Sequence, residues 1–406
     1  MRIGSLIKFY RTKRGLTQNS LAMGICSVPH LSKIENNSKE ANVETIRLLL
    51  ERLSIDLQDV QANEWNILEL LKEFLSHIHY LEEEKAKNAY KQLEGYRELI
   101  VFTDFIYLYE LYKLRYYLLI NNREAADYQL KWLHAQRQNF SQYEKYLLLY
   151  FGALILMLRG RYEEADRQLT RIIQDKAEMG TFEGEIYYHL AVVKGHVDEA
   201  SLAIIYGKKA LQFYSNQYNF KRILHTLMSL ALNYSRAKIF NEALETYNHL
   251  LRSIEMLNQK HLLPKIYHNI GDLHQRMGDY KQAVEYFQKS AANIPKDTEN
   301  YLLCLYNLAQ TQFRLEQWDE CRESFTLLKM ETKKQKVLHY RLFTNFYLLL
   351  LDNEKEKAML FLEEKLVPYT ARVEDFKEAH HQFLVILTDY YRQEGKFEKV
   401  VQLTNR

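Results

Sequence analysis

Proline and glycine are scarce in this chain of 406 residues, and their scarcity restricts the folds open to it more than any other feature. The sequence contains 4 prolines and 13 glycines, well below the roughly 5% and 7% of average proteins. Both residues interrupt helices, and both are needed in the turns of β-rich folds. Because 47% of the residues are apolar, the chain can bury a core over its whole length. We therefore predict an all-α fold with more than one folding unit.

Positive charge is concentrated at the N-terminus. Residues 1–39 contain seven lysines and arginines and one glutamate, a net charge of +6, while the whole chain has a net charge of +3. The remaining residues therefore sum to a net negative charge. A basic end on a weakly acidic body is typical of a nucleic-acid-binding domain attached to a domain that does not bind nucleic acid.

The first sixty residues contain the pattern of a helix-turn-helix unit. Thr17 is placed to cap a short helix over residues 18–23, and Ser27 is placed to cap a second helix over residues 28–35. Gly24 provides the tight turn between the two helices. The second helix of such a unit enters the major groove of DNA.

Two further helices flank this unit. The apolar spacing predicts one over residues 3–13, and Asn42 is placed to cap another over residues 43–53. We therefore predict a small DNA-binding domain over residues 1–62. The alternative is a helical bundle of the same shape that has lost DNA binding, and the excess of positive charge favours the DNA-binding interpretation.

Exposed residues around the second helix are the candidates for contacts with double-stranded DNA. Polar and apolar side chains at its start can contact base edges, and polar groups at the neighbouring helix end and in the following loop can hold phosphates. The predicted DNA-binding residues are Gln18, Ser27, Val28, Pro29, His30, Ser32, Lys33, Asn37 and Lys39.

This N-terminal segment resembles the helix-turn-helix domain of the lambda-repressor type. The cap, turn and core positions match in order over about 60 residues. The matching pieces are Leu16-Thr17-Gln18, Leu21-Ala22, Ser27, Leu31-Ser32-Lys33-Ile34-Glu35-Asn36 and Val43-Glu44-Thr45-Ile46. The resemblance implies an operator-binding domain.

Residues 63–406 show an array of helix pairs. One unit follows the tetratricopeptide pattern of about 34 residues, with Gly271 and Ala283 where two helices approach and with aromatic residues, Tyr280 and Phe287, in the gaps. Weaker copies at a spacing of roughly 38 to 41 residues give about nine helix pairs. Such pairs stack into a right-handed superhelix whose groove is lined by the first helix of each pair.

Polar residues recur at positions that face this groove. Asn269 and Asn307, with Asn345 as a further member, form an amide ladder that suits the backbone of an extended peptide, and recurring arginines suit a carboxylate. The alternative is that these are ordinary solvated side chains. The predicted peptide-binding residues are Tyr188, His189, Ser229, Arg236, His268, Asn269, Asp272, Arg276, Tyr306, Asn307, Gln310, Arg314 and Asn345.

The combination of the two domains resembles the RNPP family of peptide-pheromone-responsive transcription regulators, and most of all its NprR and PlcR branch. The resemblance is carried by Gly24-Ile25-Cys26-Ser27, by the segment 30–36 and by the number of repeats. It implies a cytoplasmic homodimer that binds operator DNA and a short signalling peptide, with a higher oligomer as a further state when peptide is bound. Its asparagine ladder corresponds to Asn269 and Asn307, with Ser229 in place of asparagine one repeat earlier.

A second hypothesis is that the repeats act as an adaptor. NprR-type proteins resemble the Rap group, whose repeats bind response-regulator proteins of the sporulation phosphorelay. Under this hypothesis the N-terminal domain is dispensable for one of two activities.

An enzyme, a metalloprotein and a membrane protein are not predicted. The sequence lacks the nucleophile, zinc and phosphate-loop motifs, and the 14 histidines show no metal-ligand spacing. We expect no cofactor and no metal. The longest uncharged apolar run, residues 146–158, is too short to cross a bilayer, and the N-terminus does not resemble a signal peptide. Together with three unpatterned cysteines, this predicts a cytoplasmic protein.

Overall fold

The structure, a computed structural model, describes residues 1–373 and 376–404. All regular secondary structure in these ranges is helical, which confirms the predicted all-α class. The helices of the N-terminal domain are α1 (Ile3–Lys13), α2 (Gln18–Ala22), α3 (Val28–Glu35) and α4 (Val43–Arg52).

The helices that follow are arranged mostly in consecutive pairs. They are α5 (Leu57–His79), α6 (Glu83–Gly95), α7 (Arg97–Ile100), α8 (Ile106–Leu119), α9 (Arg123–Gln136), α10 (Gln142–Leu158), α11 (Tyr162–Gln174), α12 (Glu183–His196), α13 (Ala200–Asn216), α14 (Phe220–Arg236), α15 (Phe240–Met256), α16 (Leu263–Met277), α17 (Tyr280–Ala291), α18 (Glu299–Arg314), α19 (Trp318–Gln335), α20 (Leu338–Leu351), α21 (Lys355–Phe361), α22 (Val367–Thr370), α23 (Lys377–Gln393) and α24 (Phe397–Thr404).

The chain divides into two compact units. The first comprises residues 1–197 and 209–223, and the second comprises residues 198–208 and the chain from residue 224 onward. None of the described helices is both long and apolar enough to span a membrane.

The predicted caps of the N-terminal domain are confirmed. The side-chain oxygen of Thr17 accepts a hydrogen bond from the backbone N–H of Ser20 at 3.0 Å, and that of Ser27 accepts one from His30 at 3.3 Å. Asn42 caps α4 in the same way. The helices α2 and α4 each end one residue before their predicted ends.

The core of this domain is formed by the apolar faces of its helices. Leu6, Leu21, Leu31 and Leu49, one from each of α1 to α4, are fully buried in a single cluster. The helices α1 and α3 pack so closely that a Cβ atom added to Gly4 would lie 1.9 Å from the carbonyl oxygen of Ile34. Any larger residue at position 4 would therefore push the two helices apart.

The predicted tetratricopeptide unit is formed by α16 and α17. A Cβ atom on Gly271 would lie 2.7 Å from the ring of Phe287, so only glycine allows this close approach. Ala283, the second predicted small residue, is fully buried. In the second unit the first helices of successive pairs also contact each other, α16 with α18 and α18 with α20.

Candidate functional sites

The turn between α2 and α3 is held by an arginine from α4. Arg52 donates a hydrogen bond from Nη1 to the carbonyl oxygen of Leu21 at 2.9 Å and a further one to the carbonyl oxygen of Met23. These carbonyls lie at the C-terminal end of α2, where they have no partner within the helix. Arg52 therefore fixes the geometry of the turn that precedes α3.

A buried ion pair joins the first three helices. The Glu35 carboxylate, at the end of α3, accepts hydrogen bonds from Arg11 Nε at 2.5 Å, Arg11 Nη2 at 3.0 Å and Gln18 Nε2 at 2.8 Å. Burial raises the pKa of Glu35, but the hydrogen bonds from Arg11 and Gln18 outweigh burial and hold that pKa below its ordinary value. Sequence analysis predicted a phosphate contact for Gln18, and its amide keeps one further N–H donor for it.

The other predicted DNA-binding residues surround the start and the end of α3. Asn37 Nδ2 donates a hydrogen bond to Ser5 Oγ at 2.6 Å, and Ser27 serves as the cap of α3. The roles of the whole set in DNA binding stay predictions. The exposed members are Ser27, Val28, Pro29, Lys33, Asn37 and Lys39, and the half-buried members are Gln18, His30 and Ser32.

The N-terminal domain is also fastened to the segment around α7, which sequence analysis did not anticipate. The backbone N–H of Arg2 donates to the carbonyl oxygen of Phe102 at 2.6 Å. The Phe9 and Phe102 rings lie 5.4 Å apart, and Lys13 forms an ion pair with Glu98 at 2.9 Å. These contacts add to the direct chain connection through α5, so the domain is held at two places.

Two predicted peptide-binding residues of the first unit lie beside a buried polar cluster. Tyr188 and His189 of α12 are half-buried, and His189 Nδ1 lies 3.0 Å from the hydroxyl oxygen of Tyr150. Burial lowers the pKa of His189 to about 3. The His189 ring is therefore neutral at ordinary pH, and one of its nitrogens is occupied by Tyr150.

The centre of this cluster is Glu185, which is fully buried. Its carboxylate lies 2.9 Å from Arg115 Nη2, 2.9 Å from Arg222 Nη2 and 3.2 Å from His79 Nδ1. Tyr150 also donates a hydrogen bond to it at 3.0 Å. Burial raises the pKa of Glu185, but the charges of Arg222 and Arg115 outweigh burial and hold that pKa well below its ordinary value. Sequence analysis did not identify this cluster.

Several predicted peptide-binding residues of the second unit do lie together. His268 Nε2 and Asn307 Nδ2 are 3.0 Å apart, and Arg276 Nε donates to Asp272 at 2.8 Å. Burial raises the pKa of the nearby Tyr247 hydroxyl, and the charges of Asp272, Arg236 and Arg276 also act on that pKa.

Ser229, Arg314 and Asn345 belong to the same predicted set, and Asn269 of that set is half-buried. The carbonyl oxygen of Ser229 accepts a hydrogen bond from Asn233 at 2.9 Å. The guanidinium of Arg314 lies 5.6 Å from the ring centroid of Tyr280. Asn345, in α20, is half-buried.

The structure corrects the expectation that Tyr306 and Gln310 face a groove. Both side chains are buried. The Tyr306 ring packs 5.4 Å from the ring of Phe343, and Gln310 Nε2 donates to the hydroxyl oxygen of Tyr347 at 3.0 Å. The physical reason is that α18 and α20 pack against each other, so that side chains between them are enclosed.

Comparison with known families identifies the two domains. A helix-turn-helix family matches residues 7–60, and a tetratricopeptide repeat family matches residues 262–326. The first match covers the capped helices around Glu35, and the second covers the unit built on Gly271.

Two relatives extend the similarity along the chain. The transcriptional activator NprA of Geobacillus stearothermophilus is 24% identical over 391 residues, which cover 93% of this chain and 95% of NprA. The regulatory protein RapD of Bacillus subtilis (strain 168) is 25% identical over 301 residues, which cover 72% of this chain and 83% of RapD.

The fold is shared with the quorum sensor NprR. The apo form of NprR from B. thuringiensis superimposes with a TM-score of 0.72 at 22% identity and covers 84% of this chain and 97% of that structure. NprR in complex with its cognate peptide NprX gives a TM-score of 0.63 at 23% identity, with 80% and 98% of the two chains covered. The chain therefore combines an N-terminal helix-turn-helix with tetratricopeptide repeats and is similar to NprA over nearly its whole length.

Proposed function

We propose that this protein is a cytoplasmic quorum-sensing transcription regulator. It binds operator DNA through α3 and is controlled by a short signalling peptide bound by the first helices of its repeats. The observation that carries the proposal is the capped and fully packed helix-turn-helix domain, with an exposed start of α3, on an array of tetratricopeptide-like pairs. NprA is named a transcriptional activator, which supports the proposed DNA binding. NprR is named a quorum sensor with a cognate peptide, which supports the proposed control by peptide.

DNA recognition is assigned to residues 1–62, and peptide control to residues 63–406. In the N-terminal domain, Val28, Pro29 and Ser32 are suited to contact base edges, and Lys33 and Lys39 are suited to bind phosphates. The buried Arg11–Glu35 pair holds α1 against α3, so that these contacts form without reordering the domain. The proposal assigns binding roles to these residues and no catalytic role.

Control by peptide requires that the two sites be energetically coupled. We infer that the DNA-binding form is a homodimer, because helix-turn-helix regulators place their recognition helices about one DNA turn, ~34 Å, apart. A peptide that binds two arrangements of the dimer, or two oligomeric states, with different affinity changes the balance between them. A coupling free energy of ~1–3 kcal/mol would change operator occupancy by ~5–150-fold, and the effect must be reciprocal.

The experiment has two steps on the full-length protein. In vitro selection from random double-stranded DNA first yields a bound sequence, which then serves as a labelled operator. A heptapeptide library is titrated into the protein–operator complex, and operator affinity is measured by fluorescence anisotropy. We expect enrichment of a two-part sequence and a peptide-dependent change in affinity. Failure to enrich any DNA sequence would contradict operator binding. An operator affinity that no peptide alters would contradict regulation by peptide.

The similarity to RapD favours a second candidate function, in which the repeats bind a response-regulator protein. A substitution is a better test than removal of the N-terminal domain, because that domain packs against Phe102. The variant Val28→Glu places a negative charge at the exposed start of α3 and is expected to prevent DNA binding. An adaptor retains binding to its response regulator in this variant, whereas a pure DNA-binding regulator loses its activity.

A further inference from the structure

The turn that leads into α3 contains three consecutive backbone carbonyls, each with a hydrogen-bond donor. The carbonyl oxygens of Leu21 and Met23 accept from Arg52, at 2.9 Å in the case of Leu21. The carbonyl oxygen of Ala22, between them, accepts from the backbone N–H groups of residues 25 and 26 at 2.9 and 3.0 Å. Two of the three carbonyls at this end of α2 therefore depend on one side chain, which comes from α4.

The helix α2 is too short to define its own C-terminal end. It contains five residues, and an isolated helix of that length is not stable in water, because nucleation costs more than a few backbone hydrogen bonds return. Gly24 follows it with a φ of +71°, and glycine has the widest range of backbone conformations. Contacts from other helices must therefore hold the turn, and Arg52 supplies two of them.

The Arg52 contacts lie next to the predicted base contacts. Ser27 follows the turn directly and caps α3, and the exposed residues Val28 and Pro29, which are suited to base edges, come next. The opposite end of α3 is held separately, through the ion pair of Glu35. Arg52 therefore acts on the end of α3 to which we assign the base contacts.

The geometry of Arg52 suits a positioning role. Its Nη1 makes both hydrogen bonds, so both N–H donors of that nitrogen are directed at the backbone of its own domain. Its charge lies at the C-terminal end of a helix, where a cation is favoured. Arg47, on the same helix α4, differs from it, because it pairs with Glu44 and Glu51 of its own helix.

We propose that Arg52 is a positioning residue for operator recognition, which holds the turn so that the start of α3 meets base edges in one orientation. The inference rests on the proposed function, because it requires α3 to bind an operator. Hydrogen bonds to base edges weaken steeply when they are misaligned. Contacts with phosphates carry no sequence information and supply the affinity for unrelated DNA. Loss of Arg52 therefore weakens binding to the operator and spares binding to unrelated DNA.

Titrations of the full-length protein with two labelled duplexes test this. One duplex carries the sequence that in vitro selection with the wild type enriches, and the other carries the same bases in scrambled order. The variant Arg52→Met keeps an unbranched stem and removes the donors and the charge. At a salt concentration where both affinities are measurable, we expect it to bind the selected duplex about tenfold more weakly and the scrambled duplex within about twofold of the wild type. The slope of log K against log salt should not change.

Two further variants complete the test. Arg52→Lys keeps the charge but loses the planar fork, and we expect it to lower the ratio of the two affinities by about threefold. Arg47→Met removes an exposed arginine from the same helix and is the matched control, which should leave the ratio unchanged. Melting temperatures establish that each variant is folded. If Arg52→Met does not fold, Arg52→Lys decides, and an unchanged ratio for it overturns the inference.

The pattern of results separates this inference from the proposed function. Equal losses on both duplexes, with a slope smaller by about one, would identify Arg52 as a phosphate contact and overturn its positioning role. An Arg52→Met variant that discriminates between the duplexes as well as the wild type would also overturn it and would leave operator binding intact. If selection with the wild type enriches no sequence, operator binding itself fails, and the inference fails with it.

Discussion

His79 and Glu185, which are 106 residues apart in the sequence, lie 3.2 Å apart in the interior of the first unit. The contact joins the C-terminal end of α5 to α12. The carbonyl oxygen of His79 also accepts hydrogen bonds from Asn219 at 3.2 Å and from Arg222 at 3.3 Å. The helix that follows the DNA-binding domain is thus held by polar contacts to residues much later in the chain.

We predict that Glu185→Gln destabilises the protein strongly. Glutamine keeps the size of the side chain but leaves Arg115 and Arg222 buried without a compensating charge. The expected loss is about 3 kcal/mol or more, since removal of one partner from a buried ion pair leaves the other charge desolvated. The urea concentration at the midpoint of unfolding measures the loss. The exposed Glu178→Gln is the control, and an equal midpoint for both variants would contradict the role of Glu185.

The same carboxylate predicts how stability depends on pH. The pKa of Glu185 is well below its ordinary value in the folded protein, whereas in the unfolded chain it is about 4.3. The folded state therefore gains stability from Glu185 at pH values above the unfolded pKa and loses it as the pH falls through the folded pKa. We expect the stability difference between the wild type and Glu185→Gln to be constant near pH 7 and to shrink below about pH 4. A stability difference between the two proteins that grows as the pH falls would contradict this prediction.

Lys33 and Gln18 are predicted to affect DNA binding in different ways. Lys33 is exposed, so Lys33→Ala should weaken operator binding and reduce the slope of log K against log salt by about one. Gln18 donates to Glu35, so Gln18→Ala should weaken binding with little change in that slope. Titrations at several salt concentrations test both, with the exposed Lys329→Ala as control. A smaller slope for Gln18→Ala would contradict this prediction, because a neutral amide neutralises no phosphate charge.

Asn269 and Asn307 are predicted to be needed for the response to peptide. Replacement of both by alanine should remove the amide groups that suit a peptide backbone, and the peptide should then no longer change operator affinity. Because Asn307 is hydrogen-bonded to His268 and is half-buried, we expect a loss of about 1 kcal/mol in stability as well. Thermal unfolding measures this loss. A collapse of the melting temperature with no folded protein left would assign the two asparagines a structural role instead.

Local signals in the sequence predicted local structure well. The caps at Thr17, Ser27 and Asn42 were confirmed because a side-chain cap and its backbone partner are three residues apart. The packing of Gly271 against Phe287 followed from the spacing of one repeat. The cap contacts lie within the first turn of one helix, and the Gly271–Phe287 contact lies within one helix pair. Over such short separations the spacing of residues in the sequence defines the contact.

Contacts between distant segments could not be predicted in this way. The cluster around Glu185 joins residues 70 and 106 positions away, and no local pattern marks them. The helical phase of Tyr306 and Gln310 predicts an open face, but the phase of one helix does not show how closely a neighbouring helix such as α20 covers that face. For the sites themselves, a sequence therefore indicates which side chains share a face and leaves their accessibility undetermined.

The attachment of the N-terminal domain through Phe102 and Glu98 has a consequence for the architecture of the operator. A domain on a loose tether tolerates half-sites at many separations, because the tether absorbs the difference. A domain clamped at two places transmits any displacement to the protein body. A homodimer built from such subunits would accept a narrow range of base pairs between its half-sites, and an insertion of half a helical turn of DNA would put the second half-site on the opposite side of the duplex.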